Sequence, residues 1–449
     1  MTARLRRWLR TPPSPLPPAP RLPLWAAGAA VAVLTALQMF RRPTAPPVWD
    51  SLIAEDGKIF LTQALAQPMS DNLATSYQGY LHTAPRLIAK VATWFPLEDA
   101  ALVMSLAFAL VVAFLSVYVF EASAAWIASP LLRAVLALAI PFIPVTAWQM
   151  AGTVSNLHWY LLYGAFWAIV CPWRTRGWLV ASTALVLLAV LSDPLVAVFL
   201  PIAVVLAVRA RDWRAWVAPG SIVFGIIVTL ALRDEGTTAI SGSDYGVLPR
   251  VFADRVTSSL LVGDRHLKDI LGETSGSPFA WASLAFVVLA IGVGLWRLRG
   301  RRAWLLAGGA ALSVGFFAVA GFARGTSIWD SDRPWVLLGT RYVYLPVLFL
   351  LTALLAAVDR DAPGRWRPRA LELVAAGLAV ASMAVGYAAP HRSSGELRWR
   401  PVVAKARRAC ATGRPVPPVT LRRAGGGTAF LPIDPRPVWA VEVGCAKLD

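Results

Sequence analysis

The chain has 449 residues, of which 57% are hydrophobic and only 15% charged, and its mean hydropathy is +0.58. A soluble domain carries about 25% charged residues, so this composition excludes an ordinary globular enzyme and points to a polytopic helical membrane protein. The net charge of +18 does not mark a nucleic-acid binder, because the basic residues sit in short connections between apolar runs, where the positive-inside rule places them.

Residues 1–23 read as a disordered basic lead with Arg4, Arg6, Arg7 and Arg10 and a Pro-rich stretch. The apolar run that follows ends in Arg41-Arg42-Pro43 with no small-residue cleavage pattern, so it reads as an uncleaved first span. Eleven apolar spans are expected in all, at about 24–40, 99–120, 131–148, 153–170, 178–192, 194–208, 215–232, 279–296, 303–323, 337–358 and 370–389. The transmembrane bundle thus covers 24–389 and a small tail domain 390–449.

Arginines at 174, 176, 209, 211, 214, 297, 299, 301, 302, 360, 365, 367 and 369 fall in alternate connections. With the N-terminus inside, these are the cytoplasmic loops. Three long segments then lie outside, 41–98, 233–278 and 390–449, with the shorter loop 324–335. Arg outnumbers Lys by 38 to 5, as in a GC-rich bacterial genome, and a bacterial plasma membrane is the expected location. In the tail, Cys410 and Cys445 fit a disulfide in an oxidising compartment. Cys171 reads as a buried thiol.

The chemistry-bearing residues gather on the outer face. Asp50, Glu55, Asp56 and Lys58 follow the first span, and an amphipathic helix is expected over 59–66. Tyr77-Gln78-Gly79-Tyr80-Leu81-His82 and Pro85-Arg86 come next, with a second interfacial helix at 86–95. Asn156 and His158 open the fourth span, Asp193 closes the fifth, Asp330, Asp332 and Arg333 precede the tenth, and Arg341 and Tyr342 lie near its outer end. Charged groups near hydrocarbon are costly unless paired, hydrated or facing a cavity. Structural roles compete at each position. Glu55-Asp56 also fits a helix-dipole cap, Asp193 before a proline fits an N-cap, Asn156 and His158 fit interhelical hydrogen bonding, and Arg341 fits a structural pair with Asp193 or Glu55.

A first span, a long outer loop opening on the acidic pair Glu55-Asp56, interfacial helices, many further spans and a small outer C-terminal domain together resemble the GT-C superfamily of integral-membrane glycosyltransferases. The stretches 153–160 and 339–346 resemble those of bacterial membrane proteins of this type. The first loop carries no Asp-x-Asp, and no Trp-Trp-Asp-type signature occurs. The resemblance implies an all-α bundle and an inverting transfer from a polyprenyl-phosphate-linked sugar donor to a glycan or lipid acceptor, with membrane lipids and no nucleic acid as partners. Asp56 is then expected as the base and Glu55 as the group that positions the acceptor or a divalent cation. Arg341 and Arg86 would hold the donor phosphate, and His82, His158, Asn156, Asp193, Tyr342 and Lys58 would line the pocket. A transporter or flippase of lipid-linked saccharides, a non-catalytic envelope scaffold and an acyltransferase are the competing readings. The spans are apolar through their centres, which disfavours the first. No Walker-type loop or zinc spacing is present.

Overall fold

The computed structural model describes residues 24–40, 46–146, 150–171, 175–210, 212–233, 244–262, 277–325, 340–359, 370–388, 397–422, 427–434 and 439–448. Asp330, Asp332, Arg333 and the basic lead fall outside them. In chain order the α-helices of the described residues are α1 (Leu24–Phe40), α2 (Thr62–Ala66), α3 (Met69–Ala74), α4 (Thr83–Ala92), α5 (Ala100–Ala122), α6 (Pro130–Phe142), α7 (Leu157–Val170), α8 (Arg176–Ser192), α9 (Leu200–Ala210), α10 (Val217–Leu232), α11 (Leu248–Phe252), α12 (Ser258–Val262), α13 (Pro278–Arg297), α14 (Gly300–Arg324), α15 (Arg341–Val358), α16 (Ala370–Ala388) and α17 (Trp399–Thr412). Strands β1 (Thr420–Arg422), β2 (Thr428–Pro432) and β3 (Ala440–Gly444) form one antiparallel sheet in that order.

Each of the eleven apolar runs of the sequence carries a helix. Six helical stretches are long and apolar enough to cross a bilayer: Leu97–Ala125, Trp213–Leu232, Pro278–Arg297, Gly300–Ala323, Arg341–Val358 and Ala370–Tyr387. The molecule is therefore built as a polytopic helical membrane protein. The other five runs form helices of 11 to 17 residues, α1, α6, α7, α8 and α9.

Helix α7 is apolar all round and every one of its residues is buried. A helix with no polar face belongs at the centre of a bundle. It packs on α15, where Tyr163 and Thr352 share a hydrogen bond of 2.8 Å and Tyr160 lies 4.7 Å from Tyr344, ring to ring. The Tyr344 hydroxyl donates to Ile140 O at 2.9 Å. That carbonyl would otherwise look for the amide of residue 144, a proline with no N–H to give. By contrast α10, α13 and α16 leave most of their surface on the outside of the bundle.

At the end of the bundle where α6 and α14 begin, Asp359 accepts from the Ala128 and Ser129 amides at 2.8 and 2.9 Å and so fixes the chain that enters α6. Glu372 accepts from the Ser129 hydroxyl at 2.9 Å. These bonds tie the end of α15 and the start of α16 to α6.

At the other end, the first long loop and the tail share a single hydrophobic core. Leu52, Phe60, Leu61 and Ala64 of the loop pack with Trp399, Val402, Leu431, Ile433 and Val441 of the tail. The Trp399 indole donates to Leu97 O at 2.7 Å, and Arg407 forms a two-pronged bond to Glu98 at 2.6 and 3.1 Å. Cys410 and Cys445 are joined in a disulfide. The tail adds α17 and a three-stranded sheet to the helical bundle, strand content that the sequence reading had not placed there.

Candidate functional site

The first loop enters its site through an uncommon backbone. Among the described residues the non-glycine positions with positive φ are Ala54, Gln78 and His82, at 41°, 53° and 53°. All three lie in this loop. Such conformations cost about 1–3 kcal/mol each and persist only where surrounding structure enforces them, often at functional sites. The segment Asp56–Leu61 is a π-helical turn, another feature frequent at such sites.

The left-handed turn at Ala54 sends the two neighbouring acids to different places. Asp56 points inward and is 3% exposed. Its two oxygens accept from the Val154 amide at 2.8 Å and the Ser155 amide at 2.7 Å. Those amides open the turn Val154–Asn156 that leads into α7, so Asp56 caps that helix entry from 98 residues away in sequence. Burial pushes its carboxyl up to about 7, against the two amide bonds, which pull it down. Glu55 points outward instead. Its Oε1 lies 4.0 Å from Nη1 of Arg341, and the two side chains are 20% and 37% exposed.

Arg341 starts α15 and lays its guanidinium over the Tyr342 ring, 5.2 Å from the centroid. Tyr342 meets Trp159 edge to face at 5.5 Å, and Trp159 lies 4.8 Å from the next ring, His158. The His158 Nδ1 is 2.7 Å from Ser155 O. A carbonyl only accepts, so Nδ1 carries the proton. Its Nε2 lies 3.6 Å from Asp193 Oδ2. Asp193 also caps the turn after α8, accepting from the Leu195 amide at 2.9 Å. His82 stands 5.6 Å from His158 and 4.1 Å from the Tyr80 ring, with Phe60 and Tyr77 behind it at 5.3 and 5.7 Å.

The structure therefore brings Glu55, Arg341, Tyr342, His158, Asp193 and His82 to one end of the bundle. Asn156 is buried in the turn beneath them. Two expected pocket residues stand elsewhere. Arg86 is fully buried, its Nε donating to Leu81 O at 2.8 Å and its Nη1 to Gln63 at 2.7 Å. It clamps α4 to α2 rather than facing a ligand, and burial pushes its guanidinium down to about 10. Lys58 lies over Trp439 of the tail, 5.3 Å from the ring, and so belongs to the contact between loop and tail. Asp56, expected as the base, has its oxygens turned to backbone amides.

Sequence reasoning did not place Tyr80 and Trp159 in the site. A signal for Tyr80 was present. Gly79 has φ of 87° and makes a tight turn in which Tyr77 and Tyr80 exchange backbone hydrogen bonds at 2.8 and 3.3 Å, turning the tyrosine back onto His82. Arg255 was missed too. It is buried in the π-helical turn Ala253–Thr257 and donates to Thr340 at 3.3 Å, one residue before Arg341.

Among the described residues no three His, Cys, Asp or Glu side chains converge as a metal ion would require. A cavity of about 300 Å³ lies not here but at the far end of the bundle. Comparison of the chain with known protein families, with curated proteins and with solved structures finds no match.

Proposed function

We propose that this protein is an inverting glycosyltransferase of the GT-C type. In this reading it moves a sugar from a polyprenyl-phosphate donor to a cell-envelope acceptor, a glycan or a lipid, on the outer face of a bacterial plasma membrane. Its eleven helical runs cross the membrane with the N-terminus inside and the tail outside. The observation that carries the reading is the meeting of Glu55 and Arg341 at 4.0 Å. One comes from the first loop and the other from the start of α15, and both retain access to solvent beside two histidines and two tyrosines.

The chemistry asks for a base and a cation. Glu55 takes the proton from the acceptor hydroxyl as that oxygen forms a bond to the anomeric carbon. The bond from that carbon to the lipid phosphate breaks, and the phosphate leaves with a second negative charge. Arg341 offers a planar, permanently charged fork for it. In the resting site Glu55 itself occupies the neighbourhood of that fork. An arriving phosphate takes over Arg341 and frees the carboxylate for the acceptor. Asp56, fixed to the start of α7, holds Glu55 in register, and Tyr80 offers an aromatic face to a sugar ring.

The test is a transfer assay on purified protein with a panel of polyprenyl-phosphate-linked sugars, reading release of polyprenyl phosphate. Glu55→Gln and Arg341→Lys are each expected to lower turnover by at least about 100-fold with the fold intact, the scale of a lost catalytic base or charge contact. Full activity in Glu55→Gln would refute the assigned base. A folded Asp56→Asn protein with no activity, beside a fully active Glu55→Gln, would return that role to Asp56.

A further inference from the structure

The tail carries more positive charge than its own acids can balance. Residues 390–449 hold eleven Lys and Arg side chains against four Asp and Glu. Arg400 pairs with Asp99 and Arg407 with Glu98, both across the contact with the first loop. Giving every acid of the tail a partner as well would still leave five basic groups over. Basic residues report topology when they stand in short connections, whereas a long outer segment crosses largely regardless of its charge. Topology therefore gives no account of this surplus.

The structure shows where part of it lies. Arg398 precedes α17, Arg408 stands near its end, Arg414 follows the Gly413 that terminates it, and Arg422 closes the edge strand β1. All four are exposed, and among the described residues none has a carboxylate at ion-pair distance. Trp399, Val402, Val403, Ala406 and Ala409 turn the other side of α17 into the core, so the charged side faces outward. Arg422 lies 5.9 Å from the Phe430 ring centroid, on the less buried face of the sheet, which also carries Glu442. Arg398 and Arg408 are ten positions apart, about 15 Å along a helix. One phosphate or carboxylate cannot touch both ends of that span, but an extended chain of anions can. Among the described residues of the tail no large apolar side chain stands exposed, whereas Trp94 and Phe95 of the first loop do, at 69% and 51%. Exposed aromatic side chains mark the membrane boundary. Contact with lipid at this end thus belongs to the loop, and the arginines of the tail face water.

We propose that the outward face of the tail, from Arg398 through Arg408 and Arg414 to Arg422, is a docking surface for an acidic polysaccharide, a sugar chain bearing carboxylate or phosphodiester groups along its length. Arginine offers either group a two-pronged hydrogen bond, and cations spread over a surface attract a chain of opposite charge from a distance. Docking holds the protein against anionic envelope material outside the membrane. The proposal rests on the outer placement of the tail and not on the roles of Glu55 and Arg341.

The experiment is microscale thermophoresis of the full chain in non-ionic detergent, with polygalacturonate fragments as the anionic probe and dextran as the neutral one. Polygalacturonate is expected to bind at least about tenfold more tightly than dextran, and to lose at least about tenfold in affinity between about 50 and about 300 mM salt, as exposed charges are screened. Arg408→Gln, Arg414→Gln and Arg422→Gln together are expected to cut that affinity at least about tenfold. Arg176→Gln, Arg297→Gln and Arg299→Gln remove the same charge from exposed positions at the opposite end of the bundle, and are expected to change it by less than about twofold. Melting curves and an intact Cys410–Cys445 disulfide report that each variant is folded. Equal loss in the two triple variants would reduce the effect to overall charge and overturn the proposal, as would unchanged binding in the folded tail variant. Protection of 398–422 from hydrogen exchange by phosphatidylglycerol nanodiscs, without polymer, would assign this face to membrane lipid and also overturn it. Binding is read without donor or turnover. A protein that binds polygalacturonate yet transfers no sugar counts against the transfer reading alone, and one that transfers sugar without binding counts against this proposal alone.

Discussion

Asp56→Asn tests the placement of the acidic pair most directly. Burial holds the Asp56 carboxyl at about 7 in the folded protein, against about 4 in an unfolded chain. The folded state thus favours the protonated form. The stability contributed by that preference is complete below the unfolded value and is lost as pH rises through 7. Three units at roughly 1.4 kcal/mol each bound the total near 4 kcal/mol. About 2–3 kcal/mol of this falls between pH 5 and pH 8. Asparagine cannot ionise, but its amide group faces one of the two N–H donors of Val154 and Ser155, which are 2.8 and 2.7 Å from the native oxygens. That mismatch costs about 1–3 kcal/mol at every pH. Unfolding followed by tryptophan fluorescence in detergent, at half-unit steps from pH 5 to 8, is the assay. The wild type is expected to lose stability relative to the variant as pH rises, so that the gap between them narrows or reverses. A gap constant across that range would show that Asp56 titrates like a surface carboxylate, and the burial argument would fall.

Trp399→Ala removes a buried indole and its bond to Leu97 O, and is expected to cost about 3–5 kcal/mol; limited proteolysis should then cleave the tail at protease levels the wild type withstands. Cys410→Ser opens a link between positions 35 residues apart, worth up to about 4 kcal/mol by the loop-entropy argument, and should make the tail the first part to yield in hydrogen exchange. Arg407→Ala, by contrast, deletes an exposed pair with Glu98 and a bond to Leu448 O at 2.9 Å and should change stability by no more than about 2 kcal/mol. In Gly225→Ala the new Cβ would stand 2.1 Å from Val190 Cγ1, so α10 must move off α8, and a clear drop in melting temperature is expected; an unchanged melt would mean that these helices are not in contact.

Much of the bundle was legible because a membrane helix declares itself by an unbroken apolar run. All eleven runs carry a helix, and the joint at Ser192-Asp193-Pro194 falls where α8 ends. The convergence of Glu55 with Arg341 was legible for a different reason: both charges stand at the ends of apolar segments, where each needs a partner. The roles within the acidic pair were not legible. Adjacent side chains leave a turn in different directions, and Ala54, with φ of 41°, decides which goes inward. No sequence rule assigns a left-handed conformation to an alanine followed by two acids. Arg86 and Lys58 were misjudged because their neighbours are set by tertiary packing. For Lys58 that neighbour is Trp439, nearly four hundred positions later in the chain.

The docking of the tail bears on both topology and site. Gly57 lies so close to the sheet that an added Cβ would be 3.0 Å from both Ile433 Cδ1 and Val441 Cγ2. The Glu442 amide donates to Thr62 at 3.1 Å, and Lys447 donates to Leu65 O. The turn that carries Glu55 therefore rests on the tail from behind while its acid faces Arg341. Two segments that share a core must lie on the same side of a membrane. The chain between them must then cross an even number of times. Between the first loop and the tail lie six helices long enough to cross and ten helical runs in all, and either number satisfies that condition. Adding or removing a single crossing would place Trp399 across the bilayer from Leu97, its hydrogen-bond partner at 2.7 Å. A reporter of sidedness at the tail and another in the first loop must consequently agree; opposite labelling would break the shared core and, with it, the support behind Glu55.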